Sequence, residues 1–319
     1  ISAPPSVTIV TASLAINVFG ITSDPFIWVL ILLGLCAVIS AVGNYSLLDN
    51  VIKLVIIVLT ISTVIAVALA LGKQEISLSV APVFPMDEAG LLFLVALMGW
   101  LPAPLDISVW HSVWAVEKQD ATAEDFSMKR ALLDFNIGYW GTVFLAICFV
   151  LLGAIIMFGS GEEFSPKGGV FAGQLISMYV AALGDWAKIL IGIAAFTTMF
   201  STTLTVLDGI PRVMAKLTSI AQNKEEEPKS YYWFWMGLLI VGTIILLQFF
   251  GDSMVLMVTI ATVLSFLTAP FFAVFNYRLI TSEHTPEHAH PSQGMKVLSW
   301  IGIAFLVGFG IFYRHSGSG

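Results

Sequence analysis

Eight apolar stretches, each long enough to cross a bilayer, run almost end to end along this chain, near 25–43, 46–72, 88–117, 131–158, 184–206, 232–250, 253–279 and 294–313. A spanning helix needs roughly 20 such residues. A ninth, partial stretch covers about 7–20. The predicted fold is an all-α polytopic membrane protein, with 1–319 forming a single transmembrane domain. Charge content supports this. Only 11% of residues are charged, against about 25% in soluble domains, too few to clothe a water-facing surface. The net charge of −7 argues against nucleic acid as a partner. Cys36 and Cys148 both lie inside apolar runs, where a thiol serves packing better than a disulfide or a zinc site. The partner implied throughout is the lipid bilayer.

Lysine and arginine set the expected orientation. If the loops alternate sides from a tight turn at Gly43-Asn44, one side holds Lys118, Lys129, Arg130, Arg212, Lys216, Lys224, Lys229, Arg278 and Lys296. The other holds Lys73, Lys167, Lys188 and Arg314. The richer side is read as cytoplasmic, which puts the C-terminus outside the cell membrane, the inner membrane of a prokaryote. Residues 170–183 read as a short helix lying on the outer surface, with Gly184-Asp185 opening the next span.

The stretch at 88–117 differs from the others. It contains Gly99-Trp100-Leu101-Pro102-Ala103-Pro104-Leu105-Asp106. Two prolines within three residues remove two backbone donors and crowd the preceding turn, so no helix runs straight through. The break must be buried in protein or line a wet cavity, because lipid cannot satisfy the freed groups. Asp106 sits at this break. A carboxylate at membrane depth is expensive, which makes Asp106 the leading functional candidate. Its structural alternative is a cap on the second half-helix.

Other candidates rank lower. Trp110 follows Asp106 by four residues on the same helical face, where packing is the simpler role. His111 points off that face and reads as a hydrogen-bonded helix histidine, with a proton relay as the alternative. Ser201, Thr202, Thr203 and Thr205 are expected to bond their own backbone or a neighbouring helix. Thr268, just before Ala269-Pro270, marks a second proline-disturbed span and could supply a weak oxygen ligand. His284, His288 and His290, with Glu283 and Glu287, read as a solvated loop. There is no phosphate-binding glycine motif, nucleophile elbow or HExxH, so no enzyme chemistry is expected.

The stretch GWLPAPLDISVWHSVW (99–114) resembles the sixth helix of the NRAMP divalent-metal transporters, and more closely that of their magnesium-transporting branch. TTMFSTTLTVLDGIPRVMAKL (197–217) is similar to the family's eighth helix, SFLTAPFFAVFNYRLI (265–280) to the tenth and VLSWIGIAFL (297–306) to the eleventh. The resemblance implies a LeuT-like fold of two inverted five-helix repeats. It also implies that this chain is N-terminally incomplete, running from the end of the third helix through the eleventh. The family's first helix carries a metal-binding Asp-Pro-Gly. Here Asp24-Pro25 is followed by Phe26, so a preceding segment is expected to supply the first helices. Metal-transporting members read Met-Pro-His at the break. Aligned on Pro104, the methionine position falls on Ala103 and the histidine position on Leu105. A second family histidine falls on Trp110, or on His111 with a one-residue shift. Thr268 falls where members often have a glutamine ligand.

The expected function is secondary transport of a divalent cation, Mg²⁺ first and Mn²⁺ second, by alternating access through a midplane site. Asp106, the backbone around Ala103 and Pro104, and Thr268 would hold the ion. Trp110, His111 and Leu105 are the pathway or coupling candidates. No cofactor is expected beyond the transported ion. The rival is an amino-acid or other organic-solute transporter of the same fold, whose site would want half-helix amides free for a substrate carboxylate. Asp106 beside them disfavours it.

Overall fold

A computed structural model describes residues 2–42, 45–73, 87–101, 103–121, 128–156, 165, 167–224, 227–251 and 253–316. The proposed Gly43-Asn44 turn and Pro102 lie outside the described residues. All regular structure among the described residues is helical. Six of the helices are long and apolar enough to cross a membrane, and four further helical stretches are apolar but shorter. The chain is thus a polytopic all-α membrane protein.

The helices are α1 (Ala3–Phe19), α2 (Pro25–Val42), α3 (Tyr45–Lys73), α4 (Glu88–Trp100), α5 (Ile107–Ala121), α6 (Met128–Ile156), α7 (Gly168–Leu183), α8 (Ala187–Ala221), α9 (Lys229–Phe250), α10 (Met254–Ile280) and α11 (Gln293–Ser316). Local chemistry marks their ends. Pro4 and Pro5 occupy the first turn of α1, where a missing N–H goes unnoticed. Gly20 closes α1 at φ 61°, its N–H bonding Ile16 O at 3.1 Å. The Asp24 carboxylate accepts from Phe26 N at 2.8 Å and starts α2. Asp87 accepts from Gly90 N and starts α4.

The chain divides into two compact units. Unit 1 takes the described residues within Ile1–Ser79 and Phe126–Val258, and unit 2 those within Val80–Asp125 and Thr259–Gly319. In unit 1, α1 is the buried helix. Ala12, Ala15, Ser6, Thr8 and Thr11 are fully shielded. Its hydroxyls each return a hydrogen bond to a carbonyl one turn back, as Thr8 does to Pro4 O at 2.7 Å. Several also reach across. Thr11 meets the Thr203 hydroxyl at 2.7 Å, and Ser6 bonds Met257 O at 2.8 Å. Between helices that gain nothing from expelling water, such bonds and close packing hold the bundle. Thr202 and Thr203 behave as the sequence suggested, bonding Thr198 O and Met199 O of their own helix. Cys36 and Cys148 are buried free thiols in the packing of α2 and α6.

Two expectations about helix limits need correction, and one helix is packed more closely than its sequence reveals. The partial stretch at 7–20 is a helix that starts earlier, at Ala3, because prolines are tolerated in a first turn. Residues 170–183 form the short helix that the sequence suggested, within α7. As α7 they pack against α1, α3 and α8, with Ala172, Tyr179 and Ala182 buried. Small residues allow this. A Cβ on Gly168 would lie 2.0 Å from Ser13 Oγ, and Asn17 Nδ2 donates to Gly169 O at 2.7 Å. Finally, the span read as 184–206 continues to Ala221, through Pro211. At 35 residues α8 is about 52 Å long, well beyond the roughly 30 Å hydrocarbon core. Pro211 sacrifices one amide, while buried Asp208 before it and Ala215 and Ser219 after it keep the helix packed on both sides.

Candidate functional site in the interrupted helix

Unit 2 contains the predicted break. Helix α4 ends at Trp100, with Leu101 N still bonding Leu97 O at 3.0 Å, and α5 begins at Ile107. The chain re-enters helix through tight bonds of the i to i+3 kind. Ile107 N donates to Pro104 O, Ser108 N to Leu105 O and Val109 N to Asp106 O, at 3.2, 3.3 and 3.0 Å. Asp106 therefore stands directly ahead of the first α5 residue, at the positive end of that half-helix. Its side chain is half-buried, as are Ala103 and Pro104, while Leu105 is exposed.

Helix α10 backs both halves. On the α4 side, a Cβ placed on Gly99 would fall 1.9 Å from Thr262 O, so the two backbones touch. Trp100 Nε1 donates to Ser265 Oγ at 2.9 Å. On the α5 side, Asn276 Nδ2 donates to Ser108 Oγ at 2.9 Å, and Ser108 Oγ donates to Leu105 O at 2.7 Å. The clamp thus adds a second donor to the Leu105 carbonyl, which already accepts from Ser108 N. Ser265 and Asn276 are eleven residues apart, about 16 Å along α10. Between them Thr268 donates to Leu264 O and Ser265 O of its own helix, at 3.0 and 3.1 Å, and its residue is exposed. The proton is used locally; the oxygen lone pairs are not consumed by donating it. Pro270 supplies no amide to the Phe266 carbonyl, which adds a second oxygen in the same turn of α10.

Trp110 is buried, 8% exposed, and meets Trp114 edge-on at 6.3 Å. His111 lies on the exposed face, also edge-on to Trp114 at 6.3 Å. The rotation between them matches helical spacing. The structure therefore brings Ala103, Pro104, Leu105 and Asp106 together in one break and gathers Trp110 into packing. The histidine loop shows no metal geometry. His290 Nε2 lies 2.9 Å from Thr285 O and 3.2 Å from Ser282 O, bracing the loop backbone. Among the described residues no group of three His, Cys, Asp or Glu side chains is arranged to hold a metal.

A buried polar cluster in unit 1 escaped the sequence reading. Asp208 in α8 is 7% exposed. It accepts from Arg212 Nε at 2.7 Å and from Tyr232 OH of α9 at 2.7 Å. The guanidinium also lies 5.3 Å from the Tyr232 ring centre. The signal available was an acid and a base four residues apart in an apolar helix. Asp208→Ala removes the carboxylate of this pair, and should lower stability by about 3 kcal/mol. That is the low end for breaking a buried pair, because the Arg212 side chain keeps 26% exposure. Tyr232→Phe should lose about 1.5 kcal/mol, one hydrogen bond to a charged acceptor. Denaturation midpoints in detergent test the order; a Tyr232→Phe loss equal to that of Asp208→Ala would contradict it.

The model for the natural resistance-associated macrophage protein-like (Nramp) family matches residues 6–313. An uncharacterized protein of Pasteurella multocida (strain Pm70) is 36% identical over 289 residues, 89% of this chain. The chain spans 65% of the length of that curated relative. With the family model covering nearly every residue from α1 to α11, including the break at Asp106, this chain belongs to the Nramp family, a family of membrane transporters with the LeuT-like fold.

Proposed function

We propose that the complete protein is a secondary transporter of divalent metal cations, Mg²⁺ first and Mn²⁺ second, working by alternating access around the break between α4 and α5. The observation that carries this reading is the interrupted helix with a half-buried carboxylate at its restart. Unwound backbone beside a helix terminus at membrane depth is how transporters of this architecture hold ions. Asp106, the carbonyls around Ala103 and Pro104, and the Thr268 hydroxyl would form one wall of the site. Helices preceding this chain would supply the other wall. Leu105 and Trp110 stand where metal-transporting relatives are expected to carry histidine, so proton coupling through this path would be weak, with His111 as the alternative carrier. The domain would lie in the cell membrane with its C-terminus outside.

Mg²⁺ as preferred substrate follows from Ala103. Mg²⁺ dehydrates reluctantly and keeps several waters. A methionine thioether favours softer ions such as Mn²⁺, Fe²⁺ and Cd²⁺. A small side chain at that position leaves space for a partly hydrated ion and offers no sulfur. The test is uptake into liposomes by the complete protein, with Mg²⁺, Mn²⁺, Cd²⁺ and a panel of amino acids as substrates. Saturable Mg²⁺ uptake and no amino-acid uptake is the expected result. Ala103→Met should shift the Mg²⁺-to-Cd²⁺ preference by about tenfold toward Cd²⁺, about 1.4 kcal/mol. An unchanged preference in a folded variant would remove Ala103 from the site, and amino-acid flux would replace the cation reading altogether.

A further inference from the structure

The C-terminal end of α10 and the N-terminal half of α11 border an open groove of about 490 Å³, entirely within unit 2. Tyr277 supplies one wall, and the face of α11 bearing Gln293, Lys296, Val297, Trp300, Ile301 and Ala304 supplies the other. Those α11 positions recur every three or four residues, so they form one continuous stripe. The stripe is graded. Its first turn is polar, with Gln293 and Lys296. Its middle is aromatic, where Trp300 meets the Tyr277 ring at 5.3 Å. Aliphatic side chains flank Trp300 on either side, with Val297 60% and Ile301 61% exposed, and Ala304 ends the stripe.

This grading copies a phospholipid from headgroup to chain. Lys296 to Ala304 spans about 12 Å along the helix axis, enough for a phosphate, a glycerol ester and the first methylenes. Tryptophan and tyrosine favour the depth where headgroup gives way to hydrocarbon. The charge is also committed. Lys296 is half-buried and makes no ion pair or side-chain hydrogen bond among the described residues, although Glu283 and Glu287 lie in the preceding loop. Arg278, beside Tyr277, is likewise without an ion pair there. Lys296 together with an open aliphatic groove matches an anion that carries an alkyl chain. Free inorganic phosphate would leave the groove unused. Basic pockets between membrane helices on the cytoplasmic side face the anionic leaflet, and the charge count assigns Lys296 and Arg278 to that side.

We propose that this cleft binds one anionic phospholipid, its phosphate against Lys296 and its acyl chain along Val297, Ile301 and Ala304. The site is separate from the break at Asp106 and does not depend on which substrate the protein carries.

The experiment is a lipid titration of the purified, delipidated complete protein in detergent, read by native mass spectrometry, with phosphatidylglycerol and phosphatidylcholine as probes. Phosphatidylglycerol should bind at least about fivefold more tightly, the preference one lysine near a membrane surface provides. Lys296→Gln and Lys296→Glu should erase the difference. Trp300→Leu should weaken both lipids. Lys188→Glu, at the start of α8, removes the same charge elsewhere and should change nothing. Millimolar inorganic phosphate should not compete. Equal binding of the two lipids overturns the proposal. So does a preference that survives in both Lys296 variants, or displacement by inorganic phosphate, which would mark an anion site without a lipid.

Discussion

Asp106→Ala in the complete protein should reduce saturable divalent-metal uptake by at least about a hundredfold, because it removes the carboxylate that the break carries. Even supporting residues around metal sites are worth 10–100-fold, and a direct ligand should exceed them. The competing role of Asp106 is structural. It sits immediately before α5, where its backbone carbonyl accepts from Val109 N at 3.0 Å and a carboxylate suits the helix terminus. Asp106→Asn separates the two roles. Asparagine caps a helix about as well as aspartate but brings no charge to a cation. The expected outcome is an Asn variant with near wild-type thermal stability and uptake as poor as that of Asp106→Ala. Wild-type flux through Asp106→Asn would assign the residue to capping, and the cation site would have to be sought elsewhere.

Gly99→Ala should be the most damaging single methyl group added to unit 2. The added carbon would sit 1.9 Å from Thr262 O and 2.7 Å from its carbonyl carbon, both backbone atoms. No rotamer change relieves a clash with backbone, so α4 and α10 must separate. The Trp100–Ser265 bond one residue on must then stretch. Overpacking usually costs about 1–3 kcal/mol, and an unrelievable backbone clash belongs at or above the top of that range. Because the same contact holds the N-terminal half of the break, metal uptake should fall together with stability. Gly302→Ala is the matched control, since a Cβ there meets nothing within 4 Å. Alanine exceeds glycine in helix preference by roughly 0.5–1 kcal/mol, so that variant should hold or gain stability. Thermal denaturation in detergent compares the pair. A Gly99→Ala protein as stable as wild type would mean that α4 and α10 do not approach this closely.

Much of this architecture was legible in the residue string, for reasons that belong to the chain alone. Lipid leaves an apolar stretch little choice but helix, so the long spans and their approximate limits follow from composition along the chain. The break follows from proline chemistry, since Pro104 cannot donate to the helix that would contain it. The place of Asp106 follows from the break. Trp110 inside and His111 outside follow from 100° of rotation per residue. Tertiary structure decided what depends on neighbours distant in sequence. Nothing local says what α7 packs against; Gly168 against Ser13 and Asn17 against Gly169 dock its first turn on α1. Helix α8 runs past Pro211, with Asp208 one turn before it held by Tyr232 of α9, a neighbour only the fold supplies. Asn276 is one polar residue in an apolar span until α10 brings it to Ser108, 168 residues earlier in the chain. Hydropathy and proline act through covalent neighbours and solvent, and so can be read in order. Backbone contact and hydrogen-bond partnership between helices depend on which faces meet, and only the folded chain selects those.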